Sequence, residues 1–184
     1  MHKDEKWQLF YGNGEPIVGK WRSAELDNPG PEEDDIVGGA VIHLYRKNLE
    51  GEIELLWQQR SFEIDHYPGK WDVSAGGHVN LGETFADAAV REAHEEIGID
   101  ISVDDLVLAG LRRSRKGIIN FVYLVDWTDK PEDFEFDDGE VAAVKWVSLA
   151  KTDEFRKEFA KKPVAEDDAT YMSIKKWLEN YANL

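Results

Sequence analysis

The chain of 184 residues contains no cysteine, which removes disulfides, thiolate zinc sites and any thiol nucleophile or thiol proton donor from consideration. Positive charge is also scarce. Lys and Arg number 22 against 38 Asp and Glu, for a net charge of −16, so a nucleic-acid backbone would be repelled at long range. A small phosphorylated ligand held by a local cation or metal remains compatible with that balance. No apolar run approaches the roughly 20 residues that span a bilayer. The opening "MHKDEKWQLF" has no signal-peptide apolar region, so a soluble, cytoplasmic protein is expected. What is present is core-forming material: 42% hydrophobic residues, including seven Trp, indicate a folded globular domain rather than a disordered chain.

Along the chain, "KWQLFYGNGEPIVGKW" reads as two short strands around an Asn13-Gly14 turn. The acidic, turn-rich connector "LDNPGPEEDD" follows and ends near Asp35. Residues 1–35 are therefore expected to form an N-terminal hairpin segment, with the main domain over 36–184. Branched and aromatic residues mark strands in "IVGGAVIHLYR" and "EIELLWQQR", and "GKWDVSAGGHV" continues as strand into a glycine-rich loop. A helix is predicted from about Thr84 to Ile97. Two strands, "DDLVLAGLRRSR" and "GIINFVYLVDW", should pair through a turn at Lys116-Gly117, with a further strand at "EVAAVKWVSL". Two helices, about Leu149 to Ala160 and Asp167 to Tyr181, close the chain on either side of Pro163. Strands with a helix between them and helices at the end predict an α/β domain with a mixed sheet.

The central helix poses the chemical question. "REAHEEIG" sets Glu92, Glu95 and Glu96 within an arc of roughly 100°, where like charges three and four residues apart repel. Thr84 and Asp87 form an approximate capping box, and Gly98 stops the helix. Ala86, Ala89, Val90, Ala93 and Ile97 form the expected core face, leaving Asp87, Arg91 and His94 toward solvent. Acids on a helix usually only solvate a surface. Here, however, the glycines of "SAGGHVNLGE" lead straight into the helix N-terminus, where backbone can approach an anion. Carboxylates on the same helix suit a hard divalent cation, which commonly bridges them to substrate phosphates.

The stretch from Gly77 to Ile99, "GHVNLGETFADAAVREAHEEIGI", resembles the Nudix box in every fixed position: Gly77, Glu83, Arg91, Glu92, Glu95, Glu96 and Gly98. Ala93 and Ile99 take its apolar slots, Ala93 being smaller than usual. The resemblance implies an α/β/α sandwich around a mixed sheet and Mg²⁺- or Mn²⁺-dependent hydrolysis of a diphosphate linked to another, nucleotide-derived moiety. It implies Glu92 and Glu96 as principal metal ligands, Glu95 as a further ligand directly or through water, Glu92 and Glu95 as catalytic residues, and an oxygen from the Gly77 carbonyl. Arg91 and Glu83 would orient the loop. The flanking "QQRSFEIDHYPGKWDVSAGGHV" and the opening segment resemble the narrower group akin to isopentenyl-diphosphate isomerase. That isomerase depends on an active-site cysteine, which this sequence lacks. The rival readings are an isomerase of that kind and a non-catalytic nucleotide-binding module.

Outside the box, Glu140 before "VAAVKWVSL" reads either as a metal ligand or general base, or as one acid of the turn "EFEFDDGE". Arg60 and Lys70 either neutralise phosphate or lie in solvent. "RRSRK", from Arg112 to Lys116, is the one basic cluster; it either receives a distal anionic group or is a solvated hairpin tip. His43, His66, His78 and Trp71 read more simply as structural residues. The expected partner is a small organic diphosphate, with neither nucleic acid nor a membrane, and a homodimer is left open.

Overall fold

The computed structural model describes residues 6–11, 13–23, 36–113, 117–136, 139–160 and 169–182. Nine strands join in one mixed sheet. Its spine is Ile36–Lys47 (β3), which pairs in parallel with Ile118–Asp126 (β8) over its whole upper length, from Val37 with Ile118 to Tyr45 with Asp126. Every other strand–strand pairing among the described residues is antiparallel. Lys6–Phe10 (β1) and Pro16–Ser23 (β2) form the expected hairpin, and β1 joins β3 through Leu9–Val37 and Phe10–Ile36. Ile53–Arg60 (β4) pairs with β3 and with Val141–Ser148 (β9), and Val107–Arg113 (β7) pairs with β8 at the edge.

The strands alternate between two cores, as period-2 side chains require. Ile42 and Leu44 of β3, Leu56 of β4 and Tyr123 and Val125 of β8 face one cluster. Tyr45, Leu55, Trp57, Val122 and Leu124 face the other. The helix Phe85–Ile97 (α1) covers the first face, and Thr152–Phe159 (α2) and Ala169–Tyr181 (α3) supply Phe155, Ile174 and Leu178 to the second. This is the expected α/β/α sandwich. The acidic connector, the Lys116 turn residue and the Pro163 break lie outside the described residues.

One local feature positions the site. β3 and β4 pair only where Tyr45–Lys47 meets Ile53–Leu55, and then they diverge. Ser74 stands at the divergence, fully buried: its hydroxyl accepts the Leu44 N–H at 2.8 Å and donates to the Leu56 carbonyl at 2.7 Å. On either side of it, Trp71–Asp72 (β5) takes the edge of β4 and Ala75–His78 (β6) takes the edge of β3. The single strand expected over this stretch is therefore two, with Gly76 and Gly77 inside β6 rather than in a loop, because the two parts pair with different strands.

α1 has the expected caps. Thr84 Oγ1 accepts the Asp87 N–H, Asp87 accepts the Thr84 N–H, and Gly98 closes the helix at φ 69°. Its buried face is displaced from the expected one. Phe85, Ala88, Ala89, Ala93, Glu96 and Ile97 are buried, while Ala86 and Val90 are half-buried. The displacement follows from Phe85, whose ring packs between Phe10 and Phe121 with centroids at 4.6 and 3.9 Å. Glu96 lies on the same face about three turns further along, and it is carried inward with Phe85.

Candidate active site

Glu96 is a buried carboxylate, 5% exposed. Burial of an acid is unfavourable unless its oxygens are satisfied. The Gly76 N–H from β6 donates to Oε2 at 2.8 Å, and the Gln58 amide from β4 donates to the same oxygen at 3.0 Å. The fork between β3 and β4 thus delivers one donor from each side. Burial pushes the Glu96 pKa well above the ordinary value. The neighbouring Glu92 carboxylate adds to this, the Gly76 N–H opposes it, and Asp72 and Glu140 raise it further. Four carboxylates therefore share one electrostatic environment, contributed by α1, β5 and the residue preceding β9.

Glu92 and Glu95 are held differently. Arg91 Nη1 donates to Glu92 Oε1 and to Glu95 Oε2, each at 2.8 Å. Its Nε reaches Glu83 Oε1 at 2.8 Å and its Nη2 the His78 carbonyl at 2.8 Å. Glu83 in turn accepts the Asn80 N–H at 2.9 Å. Arg91, expected on the solvent side, is half-buried because the loop 78–83 folds over it. Burial disfavours its charge, but Glu83, Glu92 and Glu95 outweigh burial and hold the guanidinium protonated. A planar fork of donors is required to serve acceptors in this many directions.

Gly77 sits against Glu92. A Cβ at position 77 would lie 2.1 Å from Glu92 Oε1, so any side chain there would displace that carboxylate. Glu140 is half-buried, and its carbonyl accepts the Ser61 N–H at 2.7 Å at the start of β9. Arg60 donates to the His66 carbonyl at 3.0 Å and braces the loop 61–70, on which Lys70 is exposed. Arg112 is exposed on the edge strand β7; residues 114–116 of its basic cluster lie outside the described residues. His43 is buried, Trp71 packs edge-on against Phe155, and His78 stacks on Trp7. Gln58 and Asp72 carried no recognisable signal in sequence, since their role depends on the fork that brings β4 and β5 to α1.

Among the described residues, no group of three or more His, Asp or Glu side chains converges closely enough to hold a metal ion in this conformation. The chemistry of the donors nevertheless fits one. A buried carboxylate whose ionisation is further opposed by Glu92, Asp72 and Glu140 is an oxygen donor in a negatively charged environment, and a hard divalent cation such as Mg²⁺ or Mn²⁺ would relieve it. Arg91 now satisfies Glu92 and Glu95 in part.

The NUDIX domain family matches residues 37–168, well over half of the sequence, and the chain belongs to that family. A Nudix hydrolase of Listeria innocua is 29% identical over 152 residues, 83% of this chain and 85% of that protein. The isopentenyl-diphosphate Delta-isomerase of Escherichia coli is 31% identical over 101 residues, 53% of this chain and 56% of that one. The matched stretch spans 27%, 7% and 54% of three other curated relatives, Nudix hydrolases of Pseudomonas aeruginosa, Arabidopsis thaliana and Listeria monocytogenes. Among solved structures, DR0079 of Deinococcus radiodurans shares the fold with a TM-score of 0.66 at 21% identity, covering 93% of this chain and 98% of that one. A C. elegans Ap4A hydrolase gives 0.58 at 25% identity, covering 79% and 99%.

Proposed function

We propose that the protein is a divalent-metal-dependent hydrolase that cleaves the diphosphate linkage of a small, nucleotide-derived molecule in the cytoplasm. The observation that carries this reading is the buried Glu96 carboxylate, held by Gly76 and Gln58 beside the glycine strand on the helix that also carries Glu92 and Glu95. Family membership and the resemblance to an Ap4A hydrolase support it. Glu92 and Glu96 would hold the ion, with Glu95 and the Gly77 carbonyl adding oxygens. A divalent ion held by these residues would supply charge neutralisation of the diphosphate and a more nucleophilic water.

The remaining work falls to the chain's own residues. Arg91 locks Glu92 and Glu95 in one orientation and ties them through the His78 carbonyl to the loop. Glu83 holds the other end of that loop through Asn80. Glu140 takes the proton from the attacking water as general base. Arg60 and Lys70 balance the phosphate charge from the loop 61–70. Isomerase chemistry of the thiol type has no residue to perform it, since the chain has no cysteine.

The test is a panel of nucleoside di- and triphosphates, dinucleotides, ADP-ribose and isopentenyl diphosphate, assayed with Mg²⁺ or Mn²⁺. Hydrolysis of at least one nucleotide derivative is expected, abolished by EDTA, with no dimethylallyl product from isopentenyl diphosphate. Hydrolysis that persists in excess EDTA, or turnover of none of the panel, overturns the reading.

A further inference from the structure

β7 ends the sheet on one side, pairing only with β8 among the described strands. An edge strand usually carries polar or charged side chains, because apolar ones invite another chain. β7 instead holds Val107, Leu108 and Leu111 at 48%, 54% and 54% exposure. The two leucines are brought together by an irregularity. They are three residues apart, and strict alternation would turn them to opposite faces. The register of β7 on β8 shifts between Leu108 and Gly110, so that Leu108 is opposed to Tyr123 and Leu111 to Phe121. Tyr123 and Phe121 both pack in the cluster beneath α1, and directly opposed residues share a face. The bulge re-aims one leucine to lie beside the other.

The other face of the strand is occupied. Ala109 packs into the second core, and a Cβ on Gly110 would lie 3.3 Å from Thr170 Cγ2 at the start of α3. Thr170 also donates to the Leu111 carbonyl at 3.3 Å. The α1 side of β7 stays open, and its two ends carry opposite charge. Arg113, opposed to Ile119, follows the leucines on the same face, next to Arg112. Asp104 and Asp105 precede them in the single helical turn Val103–Asp105, and all four charged residues are exposed. Asp105 is anchored there by Ser102, whose N–H and hydroxyl it accepts at 2.8 Å each. The face reads acid, leucine, leucine, base.

Such a row is self-complementary. A two-fold axis between Leu108 and Leu111 sets each against the other leucine of a second copy, and the acidic end against the basic end. A partner of one sign, anionic or cationic, meets one end favourably and the other unfavourably. The net charge of −16 opposes contact between copies in general, so contact is favoured where cations interrupt the acidic surface. Arg112 and Arg113 are such cations. We infer that the α1 side of β7 is the contact between two copies of this chain. Leu108 and Leu111 form the centre of this isologous dimer, and Asp104 of each copy faces Arg113 of the other at its ends. The apolar centre supplies the affinity, and the charges fix the orientation.

Sedimentation equilibrium of the full chain over ~1–100 μM tests this, with circular dichroism melts showing that each variant folds. The wild type dimerises in this range. Leu108→Ser/Leu111→Ser raises the dimer dissociation constant at least ~30-fold, the loss expected when the apolar centre of an interface is removed. Arg113→Glu and Asp104→Lys each weaken the dimer about tenfold, since each sets like charges together at both ends. Combining Asp104→Lys with Arg113→Glu returns the dissociation constant to within about threefold of wild type, because the end pairs are remade with their signs exchanged. A wild type that stays monomeric at ~100 μM overturns the inference. So does a dimer indifferent to the leucine substitutions, or a combined variant no better than the single ones. The charge exchange decides the matter if the leucine variant fails to fold. None of these readouts depends on catalysis, so the hydrolase reading stands or falls separately.

Discussion

Gln58 and Gly76 place both of their hydrogen bonds on Oε2 of Glu96, at 3.0 and 2.8 Å, so the carboxylate is fixed through one oxygen; in the proposed metal-bound state Oε1 would be the oxygen that meets the cation. On that proposal Gln58 orients a metal ligand without being one. Gln58→Ala should weaken Mn²⁺ binding by about 10–100-fold, the usual effect of removing a partner that orients a metal ligand. Titration of Mn²⁺ followed by electron paramagnetic resonance measures this. An unchanged affinity would show that the Gly76 N–H alone suffices.

The raised pKa of Glu96 has a sign that can be measured. Its unfolded value is about 4.3, and the fold holds it well above that, chiefly by burial and then by Glu92. The folded state thus keeps the proton more tightly. In the metal-free protein this group's contribution is most favourable below about pH 4.3 and is lost as pH rises from there through the folded pKa. Glu96→Gln removes that dependence. Thermal melts in EDTA should show the wild type losing ground to the variant as pH rises across this window, and a constant difference between them would refute it. In Mg²⁺ the variant should lose at least ~100-fold in turnover, about 2.7 kcal/mol of transition-state stabilisation.

Glu140 is half-buried at the start of β9, close enough to Glu96 to raise its pKa through space. If it is the general base, Glu140→Gln should lower kcat by ~10²–10⁴-fold with a smaller change in KM, and the acid limb of the pH–rate profile should disappear. A variant with wild-type kcat and an intact acid limb would reduce Glu140 to a turn residue.

Ser74 closes the fork between β3 and β4 by bonding one backbone group of each. Ser74→Ala leaves the Leu44 N–H and the Leu56 carbonyl buried without that partner, at about 1–3 kcal/mol. Urea denaturation should show a lower midpoint with an unchanged m-value. A change below about 0.5 kcal/mol would mean that a water replaces the hydroxyl.

The elements were legible in sequence where local rules decide them. The helix α1 announced itself through Thr84, Asp87 and Gly98, and the first hairpin through Asn13-Gly14. The helix's buried face was not fully legible. Spacing identifies an apolar arc, but whether a glutamate at its border turns inward depends on donors elsewhere, here Gln58 and Gly76. For the same reason "GKWDVSAGGHV" read as one strand. Only the long-range bonds of Ser74 reveal that its two halves belong to different neighbours.

The parallel pairing of β3 with β8 also has a kinetic consequence. Val37 meets Ile118 and Tyr45 meets Asp126, so the spine of the sheet joins segments separated by the whole glycine strand and the acidic helix. During synthesis α1 is complete before β8 exists, and until β8 arrives one edge of β3 has no partner. Contacts this distant in sequence slow folding, because the intervening loop must be closed before it is rewarded. Refolding should therefore be limited by the docking of β8, and substitutions in the β3–β8 seam should slow folding more than equally destabilising ones in the early hairpin β1–β2.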